Sequence, residues 1–228
     1  MKILVVDTAT RAAIAASVDD GVVVRQASNQ EQTRHAERLL PMIDDAMAGA
    51  AWGLSDLDLI VCGQGPGSFT GVRVGMATAK GLALACGAPL VGIVSLQAMA
   101  HAARQQQGPA PVVALLDAKK NEVFLAVYDA CGKQIVAPSH LPRTEVASWM
   151  RSSTLAELDN PIVVGEVAHE LDLPQARLLR HPDADLPCAR SMAALAVEAW
   201  TRDPVDGIET LEPLYVRPPD IHLPRSRQ

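Results

Sequence analysis

Apolar positions along this chain fall into short continuous runs that alternate with longer stretches of helical spacing. "KILVVDTAT" (2–10) is an apolar run closed by Asp-Thr, the pattern of a buried strand. "AAIAASVDDG" and "VVVRQAS" follow, parted by Asp20-Gly21, a pair that favours a tight hairpin turn. Ala36, Leu39, Leu40, Ile43 and Ala46 then recur at helical spacing. They predict an amphipathic helix over about 34–49, with Pro41 as a kink because it lacks an N–H. "LDLIVCGQG" reads as another buried strand, "GPGSFTGVRVGMATAKGLALA" (65–85) as a loop running into a helix, "PLVGIVS" as a strand and "LQAMAHAARQQQ" as a helix. Strands alternating with helices imply a parallel component to the sheet.

The pattern then restarts. "VVALLDAKKNEVFLAVYDACGKQIV" (112–136) lies over "ILVVDTATRAAIAASVDDGVVV" (3–24), so that Asp7 falls on Asp117 and both copies read strand, Asp-bearing turn, strand, Gly turn, strand. A duplicated α/β fold of this layout is the actin-like (ASKHA) architecture of mixed sheets flanked by helices. The stretch "QQQGPAP" (105–111) marks a boundary, giving units of 1–107 and 108–228, with the C-terminal tail able to return to the first. Past 136 the signal thins to a helix at "RTEVASWMR", a strand at "PIVVGE", a helix at "CARSMAALAVEAW" and an extended, proline-bearing tail at "EPLYVRPPD".

Composition narrows the classes. Apolar residues make up 49% of 228 positions, enough for a sizeable core, and no apolar run approaches a membrane span. The N-terminal apolar run is too short for a signal peptide, so the expectation is a cytoplasmic protein. With a net charge of −6 and no block of like charge, the chain is not expected to hold nucleic acid on its own. The four cysteines are scattered without a C-x-x-C pair, which suits free thiols rather than a zinc knuckle or a disulfide framework.

The glycine-rich loop fails the usual phosphate motifs. Val72 and Arg73 follow Gly71 where a P-loop needs Lys, and Thr70 stands where a dinucleotide fingerprint needs its third glycine. A helix N-terminus capped by Ser68 or Thr70 could still take an anion; the plainer reading is a tight strand-to-helix turn. Ser68 lacks the spacing of a nucleophile elbow. Gly71, Gly75, Ala79 and Ala83 lie four apart and form a stripe that lets another backbone approach, from this chain or from another subunit. No two of the six histidines are spaced i, i+4, so no helix face offers an imidazole pair, and His35 and His101 read as ordinary helix residues. Asp7 and Asp117 are either Mg²⁺- or water-positioning carboxylates or plain turn residues.

"ILVVDTAT", "GQGPGSFTGVRVGMATAKGLALACGAPLVGIVSLQAMA" and "EPLYVR" together resemble the TsaB family, the non-catalytic partner of TsaD in the biosynthesis of threonylcarbamoyladenosine (t6A) in tRNA. The resemblance implies an actin-like fold of two related domains, pairing with TsaD and TsaE, a homodimer when TsaD is absent, and tRNA contact only through the complex. It assigns the partner interface to His35, Leu39 and Ile43 on the first helix and to Gly71, Val72, Gly75, Met76, Ala79 and Ala83 on the second. The glycine stripe would then face a helix of TsaD. Asp7, Thr8 and Asp117 become vestigial nucleotide-site positions, with no catalytic residue, metal or cofactor. TsaD carries a G-V-x-H-x-x-x-H segment whose histidines bind metal; this chain has "GIVSLQAM" there, with Ser95 and Met99 at the ligand positions, a poor donor set for such a metal. Two other classes stay open: a stand-alone actin-like ATPase or kinase using Asp7, Thr8 and Asp117, and a metallopeptidase of the glycoprotease type.

Overall fold

The computed structural model describes residues 1–30, 35–151, 158, 160–173 and 176–217, with the backbone alone for His35. Its frame is a pair of five-stranded sheets. The first contains β1 (Lys2–Asp7), β2 (Ala13–Asp19), β3 (Val22–Asn29), β4 (Leu59–Gly65) and β5 (Leu90–Val94), in the order β3-β2-β1-β4-β5. β1, β2 and β3 pair antiparallel, while β4 and β5 add to β1 in parallel. The Asp20-Gly21 hairpin forms as its residue types require, with both φ angles positive.

The second sheet repeats that topology with β6 (Val112–Lys119), β7 (Glu122–Tyr128), β8 (Gln134–Pro142), β9 (Ile162–Val164) and β10 (Arg177–Leu178). Its order, β8-β7-β6-β9-β10, matches the first strand for strand. Even the turn chemistry recurs. Asp7 Oδ1 accepts from the N–H of Ala9 at 2.8 Å, and Asp117 Oδ1 accepts from the N–H of Lys119 at 2.9 Å. β8 runs six residues past the sequence-based end at 136, because its pairing with β7 continues until Pro142 meets Glu122.

Among the described residues the sheets are covered by α1 (His35–Gly49), α2 (Phe69–Cys86), α3 (Ser95–Gln107), α4 (Arg143–Met150), α5 (Pro182–Asp185) and α6 (Ala189–Arg202). α1 runs through Pro41, whose ring sits on its exposed side. Leu39, Ile43 and Met47 of α1 and Met76, Ala79 and Ala83 of α2 pack with Leu4, Val6 and Ile60 on one face of the first sheet. The halves then exchange helices. α3 buries Leu96, Met99 and Ala103 against Val112, Ala114 and Leu116 of the second sheet, whereas α6 returns Met192, Ala193 and Ala196 to Ile3, Val5 and Val18 of the first.

Candidate functional site

The glycine-rich loop meets the β1–β2 turn of its own chain. A Cβ on Gly67 would collide with the carbonyl oxygen of Ala9, one on Gly71 with the carbonyl oxygen of Thr8, and one on Gly75 with the Thr8 hydroxyl. Hydrogen bonds lock the contact: the Ser68 N–H donates to Ala9 O at 2.7 Å and the Thr8 hydroxyl to Gly71 O at 2.6 Å. Ser68 caps α2, its Oγ accepting from the N–H of Gly71. Gly65 adopts a positive φ of 89° as the chain leaves β4. The "DTAT" and "GPGSFTGVRVG" stretches are thus two sides of one socket. The structure places Gly71, Gly75, Ala79 and Ala83 in buried positions within this chain, and Leu39, Ile43, Val72 and Met76 with them. The His35 side chain lies outside the described residues.

Beside the socket a cleft of about 240 Å³ opens between the sheets. Its walls are the β1–β2 turn, the Pro66–Phe69 loop, the end of β6 at Leu116–Lys119, Glu166, and the tail at Leu214–Arg217. The charged groups around it are matched. Arg11 pairs with Glu166 across the opening, and Lys119 Nζ and Arg143 Nη2 reach the two oxygens of Asp117 at 2.8 and 3.2 Å. Arg217 donates to Glu122 at 2.6 Å and to the Ala118 carbonyl at 3.0 Å.

Of the three residues expected at a nucleotide site, only Asp117 lines the cleft; Asp7 and Thr8 lie buried beneath it. Their electrostatics diverge accordingly. Burial pushes the Asp7 carboxyl up to about 6, although the N–H groups of Ala9 and Thr8 oppose that rise. At Asp117 partial burial works upward too, but the bonds from Lys119 and Arg143 prevail and hold the carboxyl below its usual range. Ser95 and Met99 are fully buried, Met99 in the core of the second sheet. Among the described residues no three His, Cys, Asp or Glu side chains gather into a metal-binding group. His101 is half-buried and hydrogen-bonds Ser191 at 3.1 Å, an ordinary helix–helix contact.

Apart from Asp117 and Ser68, sequence reasoning left the residues that shape this cleft unassigned. Arg11, Lys119, Arg143 and Glu166 acquire meaning only once the sheets face each other, and no local motif marks them. Arg73, exposed on α2, stacks on Phe69 at 3.8 Å and donates to the Tyr215 hydroxyl at 2.5 Å. The signal in the sequence was the "EPLYVR" stretch itself, which sets an aromatic and an arginine close together in the tail.

Comparison with known proteins agrees with this architecture. The chain is 32% identical to the tRNA threonylcarbamoyladenosine biosynthesis protein TsaB of Escherichia coli over 95% of either chain. Among solved structures it superposes on a Pseudomonas aeruginosa protein described as similar to peptidase YeaZ, at a TM-score of 0.77 and 31% identity, covering 95% of this chain and 99% of that one. At 10% identity and a TM-score of 0.51 it shares the fold alone with component A of Acidaminococcus fermentans (R)-2-hydroxyglutaryl-CoA dehydratase, over 89% of this chain and 98% of that one. The fold is thus the duplicated actin-like one, and residues 4–177 match the family TsaD, tRNA N6-adenosine threonylcarbamoyltransferase. With its duplicated sheets, its glycine socket and a relative matched over 95% of both chains, the chain belongs to the TsaB family.

Proposed function

We propose that this chain acts in the cytoplasm in t6A biosynthesis as the scaffold subunit that pairs with TsaD and, through that pair, with TsaE, performing no chemistry of its own. The observation that carries this reading is the state of the two hairpin aspartates. A Mg-nucleotide site needs carboxylates open to a cation. Asp117 is already neutralised by Lys119 and Arg143, and Asp7 is buried beneath the cleft floor. The ATPase or kinase reading needs both groups free. The peptidase reading would need a metal or nucleophile, and the buried Ser95 and Met99 supply neither.

The partner surface we assign is the outer face of α1 and α2, supported from beneath by the buried residues first expected to form it. Leu84 is 70% and Leu40 56% exposed there. Ala77, Gly81 and Ala85 are also exposed and lie four apart. A Cβ on Gly81 would meet nothing within 4 Å, so the chain itself does not require glycine at this position. Mid-helix glycine costs about 1 kcal/mol relative to alanine, a cost that close approach by a partner helix would offset. TsaD, whose family model matches this chain over 4–177, would present an equivalent helix pair for a quasi-symmetric contact. Without TsaD a second copy of this chain would take the same face. The net charge of −6 agrees with leaving tRNA contact to the complex.

Calorimetry with Mg-ATP on the isolated chain tests the carrying observation. No heat of binding is expected at micromolar to millimolar nucleotide. Saturable binding that is lost in Asp117→Asn would overturn the scaffold reading in favour of the enzyme.

A further inference from the structure

After α6 the described chain runs from 203 to 217 with a single turn at 208–210 and no strand, yet its bonds reach sideways into both sheets. It begins on the first sheet. The Gly207 N–H donates to Leu90 O at 2.8 Å, and Asp206 accepts from the Leu90 N–H at 3.1 Å. Leu211 then packs over β5 at Gly92, where any Cβ would collide with its side chain. Glycine weakens a strand interior, so its presence in β5 is explained by the seat it leaves for the tail. The Leu214 N–H donates to Gln64 O at 2.8 Å, at the end of β4.

Three residues later the tail has crossed to the other sheet. Tyr215 stacks on Phe69 with ring centroids 4.9 Å apart and accepts from Arg73, so α2 grips it from two sides. The Val216 carbonyl hydrogen-bonds the His140 ring on β8 at 3.0 Å. Arg217 holds Glu122 and the Ala118 carbonyl, at the β6–β7 end. Leu214–Arg217 form one wall of the cleft, so the segment that joins the sheets also limits the space between them.

We propose that residues 206–217 are a clamp that holds the two sheets at a fixed separation, with Tyr215 as its latch on α2 and Arg217 as its anchor on the second sheet. The clamp ties the two sheets together across the cleft, and Leu214–Arg217 confine whatever enters it to a space of about 240 Å³. It does not depend on the docking assignment: failure to bind TsaD would leave it standing.

Amide exchange on the full chain tests it. In the double variant Tyr215→Ala/Arg217→Ala, the cleft-rim amides of Ala9, Ser68 and Lys119 are expected to exchange about tenfold faster, while amides inside β1, β4 and β6 keep their wild-type rates. Wild-type exchange at the rim in that folded variant overturns the clamp. So does uniform acceleration throughout the chain, which would make the tail part of the global core. Arg217→Ala alone keeps every anchor on the first sheet. A rim-only acceleration around Lys119 of about threefold supports the proposal, and an unchanged rim refutes it.

Discussion

Two glycines on the same helix have opposite environments, and that contrast is the sharpest test at the scale of single residues. Gly71 faces the Thr8 carbonyl with no room for a methyl group, whereas Gly81 faces open space. Gly71→Ala is expected to lower stability by about 1–3 kcal/mol, because overpacking against backbone outweighs the gain in helix propensity. Gly81→Ala should raise stability by up to about 1 kcal/mol. Denaturant titration of both variants measures the difference directly. Asp7 gives a second test. Its folded-state value near 6 lies above the ordinary 3.8, so below pH 4 the group is protonated in both states and costs nothing. Between pH 4 and 6 the unfolded chain releases this proton while the folded chain retains it, so stability falls as pH rises through that window and stays lower above it. In Asp7→Asn that fall should disappear. The stability difference between variant and wild type should therefore favour the variant more at pH 7 than at pH 4, by on the order of 3 kcal/mol. Equal differences at the two pH values would mean that Asp7 is not desolvated.

At the scale of elements, α2 carries two small-residue stripes with different neighbours. The inner one, Gly71 to Ala83, seats the β1–β2 turn and the first-sheet core; the outer one, Ala77 to Ala85, lies in solvent beside Leu84. The inner stripe was legible in the sequence as a device for close approach, but its neighbour was not. Spacing says that something approaches; it does not say whether that something is sixty residues away in the same chain or in another subunit. The outer stripe escaped notice because Gly81 stands among Leu, Lys and Ala, where only the observed burial separates the two faces. Leu84→Asp is expected to leave the thermal midpoint within a few degrees of wild type, since surface substitutions rarely change stability much. It should weaken association with TsaD at least about tenfold, as loss of a central apolar contact does at other interfaces. Size-exclusion chromatography of the mixed subunits and a thermal melt decide it; unweakened association would remove the outer face of α2 from the interface.

For the whole molecule, the duplicated topology was readable from the repeat of strand, Asp turn and strand, because hydrophobic runs and turn residues are local signals. The exchange of α3 and α6 between sheets was not readable, since an amphipathic helix announces that it has an apolar face and not which sheet that face will cover. The cleft was the least legible part. Lys119 and Arg143 meet Asp117, and Arg11 meets Glu166, across separations from 2 to 155 residues. Those pairings give the cleft its character: a carboxylate already supplied with cations and a wall made by the chain's own tail. On the proposed reading, a molecule built this way keeps the duplicated actin-like architecture and offers it as a surface. Reconstitution tests that claim most directly. TsaD, TsaE, threonylcarbamoyl-adenylate and tRNA are combined with and without this chain, and t6A is measured by nucleoside mass spectrometry. The account predicts abundant t6A when this chain is present, little without it, and none from this chain in the absence of TsaD. Equal t6A with and without it, or modification by this chain alone, would contradict the account.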